Sequence, residues 1–221
     1  MNNGQIINSS KEIVEQFNDY FVNIGPKLAK AIPKATTQIP SYLKNSPANS
    51  LSLFLTDRWE VTNIVNDLQD KTSFGYDGIP VDIVEKCFAA IAKPLASLVK
   101  CSFRSGCFPD QLKVAKVCPV YQSGPENEFS NYRSIFILLS FSKIFEKAAY
   151  ICLEKFLSSN DSLTNCQYGF RPKHSTYMAL IDMYNQISES QENRNYTIGI
   201  FIDLSKAFDT IDHSMIYCVI N

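Results

Sequence analysis

The apolar residues of this chain change period along its length, and that change limits the fold more than any other feature. In the first half they recur three and four residues apart, as on one face of an α-helix. Ile13, Phe17, Tyr20, Phe21 and Ile24 form one such face, opened by Ser9 with Glu12 as a capping pair and interrupted at Gly25-Pro26. Val61, Ile64, Val65 and Leu68 form a second face behind Asp57 and Glu60. A third, with Ile83, Val84, Cys87, Ile91, Leu95, Leu98 and Val99, contains Pro94, which is expected to kink or split it, and stops at Gly106. The pattern then shortens. Residues 116–122 (KVCPVYQ) and 132–138 (YRSIFIL) read as two strands of a long hairpin turning through Ser123-Gly124-Pro125. Helices are expected over 142–157 and 175–190, the second with Met178, Ile181, Tyr184 and Ile187 aligned. Last, residues 195–203 (NYTIGIFID) alternate, with Ile198, Ile200 and Ile202 on one side and Thr197, Gly199, Phe201 and Asp203 on the other. This predicts a buried strand ending in a carboxylate, and the fold class is α+β.

With 45% hydrophobic residues, 15 Phe and 11 Tyr in 221 residues, the chain has the apolar surface to build a core and is not a disordered tail. No apolar run reaches the roughly 18–20 residues of a membrane span. The start, MNNGQIINSSKE, has no signal-peptide pattern, so an intracellular protein is expected. A formal net charge of −1 leans against a freestanding nucleic-acid binder, whose affinity comes largely from neutralised phosphates. Seven cysteines without a CxxC pair predict reduced, mostly buried thiols. Residues 33–52, rich in Pro, Ser, Thr and Asn, read as a linker. The division is therefore a helical lead-in and linker over 1–56 and the main domain over 57–221.

Asp203 is the residue of most chemical interest. A carboxylate at the end of an apolar strand can hold a hard cation such as Mg²⁺, or it can cap the turn Leu204-Ser205-Lys206. A phosphatase nucleophile would want a second carboxylate two residues on, and Ser205 stands there.

FIDLSKAFDTIDH (residues 201–213) resembles the first palm motif of reverse transcriptases, in the form found in non-LTR (LINE-type, jockey-like) retrotransposons. NYRSIFILLSFSKIFEK (131–147) is similar to that family's NYRPISLL-type fingers motif, and CQYGFRPKHST (166–176) to its QxGFR motif. KTSFGYDGIP (71–80) looks like the KSPGxDGI segment, and CFPDQLKVAKVCPVY (107–121) like the stretch before the fingers. The segments stand in the family's order across 57–221. The resemblance implies a partial right-hand polymerase: fingers with a β-hairpin, plus the first palm strand. It implies an RNA-directed DNA polymerase that transfers a nucleotide from a dNTP to a DNA primer 3′-hydroxyl on an RNA template, with two Mg²⁺ ions.

By the same resemblance Asp203 is a catalytic carboxylate and metal ligand, and the backbone amides of Lys206 and Ala207 face the triphosphate. Phe208 lies beneath the incoming sugar and excludes a 2′-hydroxyl, or else is a core residue. Arg133 closes on the nucleotide phosphates, or else pairs on the surface with Glu126 or Glu128. Arg171, with Lys173, lies near the template or nucleotide, and His174 is a hydrogen-bonding residue. The implied partners are RNA template, DNA primer, dNTP and the remainder of a retrotransposon polyprotein, without a membrane, in a cytoplasmic and nuclear ribonucleoprotein. The sequence departs from the family at Ser134 (Pro there), Phe136 (Ser), Phe74 (Pro) and Gln122 (often Lys). These residues contain no Asp-Asp dipeptide and so no [FY]xDD hairpin, and the expectation is that the 221-residue chain by itself extends no primer. The alternative is a catalytically dead or domesticated remnant that serves as an interaction or nucleic-acid-binding module.

Overall fold

The computed structural model describes residues 9–31, 50–53, 57–68 and 72–204. They fall into two compact units, one ending at Leu153 and the other beginning at Glu154. The elements in order are α1 (Ser10–Ala31), α2 (Arg58–Asp67), α3 (Val81–Ser105), β1 (Ala115–Tyr121), β2 (Tyr132–Leu138), α4 (Ser140–Ser159) and α5 (Thr176–Glu192). Short 3₁₀ turns over Asp110–Lys113 and Phe129–Asn131 precede the two strands. The described residues are thus helix-rich with one two-stranded antiparallel hairpin, an α+β arrangement.

The first unit is built on a three-helix core. Asp57 caps α2, its carboxylate accepting from the amides of Trp59 and Glu60. Val61, Ile64 and Val65 of α2 then pack against Val84, Phe88, Ala92, Leu95 and Val99 of α3 and against Ile144, Phe145 and Ala148 of α4. The stripe that α3 buries is therefore not quite the expected one. Phe88 and Ala92 point inward, while Ile83, Cys87 and Leu98 are exposed. Both stripes of α3 are apolar, and the neighbouring helices select between them. Gly106 ends α3 at φ +66°, a conformation glycine adopts without steric cost.

Neither proline breaks its helix. Pro94 lies within α3, and Pro26 lies within α1, which continues to Ala31. A helical proline forfeits one backbone bond and crowds the turn before it, and the docked face of each helix offsets that loss. In α1 that face is the expected one. Phe17 meets Phe129 and Tyr132 edge-on, at 4.8 and 4.9 Å between ring centroids, and Tyr20 lies 5.9 Å from Phe129.

Two serines in the first turn of α4 hold the loops around them. Ser140 donates to the carbonyl of Ile79 and Ser142 to that of Leu112, each at 2.7 Å, and both side chains are buried. The first bond anchors the loop over residues 72–80, and the second anchors the Asp110–Lys113 turn. Ser142→Ala would leave the Leu112 carbonyl without this donor. A loss of about 1–3 kcal/mol is expected in urea unfolding; a change below about 0.3 kcal/mol would mean that water serves the carbonyl equally well.

Three expectations are corrected. The palm strand over 196–202 is not formed: residues 195–204 belong to no strand, and Tyr196 and Ile200 are 99% and 81% exposed. An isolated strand leaves its backbone groups unpaired, and among the described residues nothing pairs with this one. The six described cysteines form no disulfide and are not buried, since Cys87, Cys101, Cys107 and Cys166 are exposed and Cys118 and Cys152 half-buried. The alternating and helical patterns that hold these cysteines place several on outward faces. The aligned face of α5 is also open: Met178, Ile181 and Tyr184 are all exposed, and the helix buries no residue. Cys218 and most of the expected linker lie outside the described residues.

Candidate functional site

Arg133 sits on β2, and the register of the hairpin decides which way it faces. Arg133 is opposite Val120, Ile135 opposite Cys118, and Ile137 opposite Lys116. Directly opposed residues of an antiparallel pair share a face, so Lys116, Cys118, Val120, Arg133, Ile135 and Ile137 lie together. The other face carries Val117, Pro119, Tyr132 and Phe136, and α1 covers it, leaving a groove of about 560 Å³ beside Phe17 and Phe21. Phe136, where the family has a small residue, lines this groove. Arg133 is therefore on the uncovered face and exposed, with no hydrogen bond or ion pair to Glu126, Glu128 or any other described residue. The hairpin loop is held by other groups. Asn131 donates through Nδ2 to the Pro125 carbonyl, and Tyr132 donates to that of Glu126, at 2.8 and 2.9 Å. An arginine on a paired strand whose guanidinium has no partner among the described residues can donate to two phosphate oxygens without first breaking a contact there.

Beside this face lies the loop over 72–80. The Gly78 amide donates to the Gly75 carbonyl, and Asp77 Oδ1 accepts from the Ile79 amide, closing two tight turns. A Cβ on Gly75 would come within 3.1 Å of the Leu139 backbone, so the loop reaches the end of β2 only as glycine. Lys143 Nζ donates to Ser73 Oγ at 2.8 Å, and Tyr76 donates to the Gln111 carbonyl at 3.3 Å. The Lys116 ammonium stands over the Phe74 ring, 5.8 Å from its centroid.

In the second unit the GFR segment is a folded loop. The Arg171 guanidinium donates to the Thr164 carbonyl at 2.9 Å, and Gln167 donates to that of Gly169 at 3.1 Å. Tyr168 donates to Asp182 on α5, and that bond holds the phenol above its ordinary pKa. His174 Nδ1 is 2.9 Å from the Pro172 carbonyl, as a hydrogen-bonding histidine should be. Ser175 caps α5 by accepting from the Met178 amide. Arg171 thus spends at least one donor on the loop itself, and Lys173 is exposed at φ +61°.

Asp203 lies on the exposed extended segment near the end of the second unit. It provides the hard anionic oxygen that Mg²⁺ favours. No cluster of three metal-ligating side chains occurs among the described residues, so Asp203 is not joined there by the further ligands a metal site needs. Lys206, Ala207 and Phe208 lie outside the described residues. Arg133 and Asp203 belong to different units, and each stands in its own setting.

Two features escaped the sequence reading. The buried pair Ser140 and Ser142 sits inside the fingers motif and carries loop anchoring; a Ser-x-Ser at a helix start was the available signal. The Lys116–Phe74 contact joins residues far apart in sequence, and no local pattern announces it.

Comparison with known proteins gives these features a context. The family model described as "Reverse transcriptase (RNA-dependent DNA polymerase)" matches residues 124–221. The RNA-directed DNA polymerase from mobile element jockey of Drosophila melanogaster is 28% identical over 180 residues, 80% of this chain and 19% of that protein. The jockey polymerase of Drosophila funebris is 25% identical over 158 residues, 70% of this chain and 17% of that protein. A 115 kDa protein in the type-1 retrotransposable element R1DM of Drosophila melanogaster is 28% identical over 190 residues, 85% of this chain and 18% of the relative. A match over 80% of the chain necessarily takes in residues before Gly124, where the 72–80 loop and β1 lie. The chain spans about a fifth of the length of these relatives. No helix among the described residues is long and apolar enough to cross a membrane. Residues 124–221 are thus similar to the reverse transcriptase (RNA-dependent DNA polymerase) family, and the relatives that match are proteins of mobile and retrotransposable elements.

Proposed function

We propose that residues 57–221 serve as the fingers and first palm motif of a retrotransposon RNA-directed DNA polymerase, with residues 1–56 as its lead-in. The reaction is transfer of a nucleotide from a dNTP to a DNA primer 3′-hydroxyl on an RNA template. It takes place in a ribonucleoprotein of cytoplasm and nucleus, together with the rest of the element's polyprotein. The observation that carries this reading is the uncovered face of the β1–β2 hairpin, where Arg133 projects a guanidinium with no side-chain partner among the described residues. Such a group binds and orients the triphosphate before reaction, which is a positioning effect. Asp203 supplies one carboxylate toward Mg²⁺, and the metal, when bound, neutralises charge on the transferring phosphoryl group. Lys206 and Ala207 offer backbone amides to the triphosphate, and Phe208 sets the room left for the sugar. Arg171 orders the GFR loop through Thr164 and presents its remaining donors to template or nucleotide.

The test is primer extension on an RNA template by the longest protein product that contains these residues. Arg133→Ala should raise the dNTP KM about ten- to a hundredfold, the equivalent of one lost charge-assisted contact, with a smaller change in kcat. An unchanged KM would remove Arg133 from the nucleotide site. Absence of extension by the unmodified protein would refute the reading as a whole.

A further inference from the structure

We propose that Phe74 and Lys116 form a contact for single-stranded nucleic acid, with an unpaired base stacked on the phenyl ring and the ammonium beside its phosphate. The inference rests on the polymerase reading above and adds to it a site that depends on this chain's own residues. Phe74 stands where the family resembled carries a proline, so the ring is a feature of this sequence. The ring belongs to a loop that is fixed rather than free. Phe74 bridges to Pro80, Ser73 accepts from Lys143, Gly75 abuts Leu139, and Ile79 is held by Ser140. On that support Phe74 remains 49% exposed, so the ring is held in place and open to solvent.

Lys116 Nζ stands over one face of the ring, 5.8 Å from its centroid, which leaves the opposite face to a base, and the hairpin register places Lys116 on the same side of the sheet as Arg133. Val120, which faces Arg133, is four steps along the strand from Lys116, so the backbone positions of the two basic residues are about 13–14 Å apart. That spacing suits a strand backbone passing over the face, with phosphates met at each end. An exposed aromatic ring flanked by cations is the usual composition of a platform for unpaired bases. Lys116 and Lys143 border the loop, which itself carries Asp77, and Asp110 nearby is paired with Lys113 at 2.7 Å. With an overall net charge of −1, such binding is confined to this face and is sensitive to salt.

The experiment measures binding of a fluorescent twelve-nucleotide single-stranded RNA to the 221-residue chain by anisotropy, at several salt concentrations, with a duplex RNA of equal length beside it. Phe74→Leu keeps an apolar side chain and removes the ring. It should weaken single-strand binding about five- to a hundredfold and leave duplex binding and the salt slope unchanged. Phe74→Trp should restore binding, which separates loss of stacking from loss of fold. Lys116→Gln should lower the salt slope by about 0.7, as one released counterion requires. Wild-type affinity in Phe74→Leu, together with weakened binding in Arg133→Ala, would overturn the proposal and leave the nucleic-acid reading standing. Absence of any RNA binding by the wild type at low salt would overturn both.

Discussion

Phe145→Ala is expected to lower the unfolding free energy by about 3–5 kcal/mol, the range for a large aromatic removed from a packed core. Phe145 is 2% exposed, meets Phe108 edge-on at 5.7 Å, and lies in the cluster that joins α2, α3 and α4. Truncation removes the aromatic contact and leaves a void that three helices, held by loops at both ends, cannot readily close. Domains of this size are stable by only about 5–15 kcal/mol, so at least about a fifth of that margin would go. Urea titration followed by circular dichroism measures it, as a fall in midpoint at constant slope. The paired control is Phe201→Ala at an 85% exposed position, expected within about 0.5 kcal/mol of wild type. Equal effects at the two sites would refute the assignment of the core.

The second large effect is chemical. In the protein product that contains this segment, Asp203→Asn should reduce primer extension at least a hundredfold, the scale seen when one preorganised charge-stabilising group is lost. Asparagine keeps the shape of the side chain and loses the negative charge that a hard divalent cation requires. Asp203 is exposed and holds no described residue in place, so the folded structure has no stake in its charge. The variant should therefore melt with the wild type while losing activity. Retention of more than half the rate would remove Asp203 from the catalytic set, and a lowered melting temperature would give it a structural role instead.

Helix caps and the glycine stop of α3 were the most legible part of the sequence, because each is a local bargain between a side chain or a glycine and a few backbone groups, whereas the breaks expected at Gly25-Pro26 and Pro94 did not form. Asp57, Gly106 and Ser175 each mark a helix end where the spacing placed one. The hairpin was equally plain, since alternation and a Ser-Gly-Pro turn specify it without distant help. What could not be read depends on neighbours. The rotation of α3 toward Phe88 and Ala92 is chosen by α2 and α4, because its two stripes are nearly equal in apolarity. The alternation over 196–202 announces strand propensity, but a strand exists only with a partner, and the described residues supply none. At the site, the identity of Arg133 was legible and its freedom was not. That freedom follows from which hairpin face α1 occupies, and only the packing of Phe17 on Phe129 and Tyr132 fixes that. The contact of Lys116 with Phe74 is of the same kind.

The docking of α1 on the hairpin has a consequence for how this protein tolerates change. Phe17 and Tyr132 are brought together across most of the chain, and the closure entropy of so long a loop grows only logarithmically. Doubling the length of the connection between α1 and α2 would cost about 0.6 kcal/mol, less than one good aromatic contact. The position of α1 is therefore written in three aromatic rings and not in the tether that leads to it. Insertions and deletions in that tether can accumulate over evolution with little effect on the hairpin, whereas a single polar replacement at Phe17 would unseat the helix.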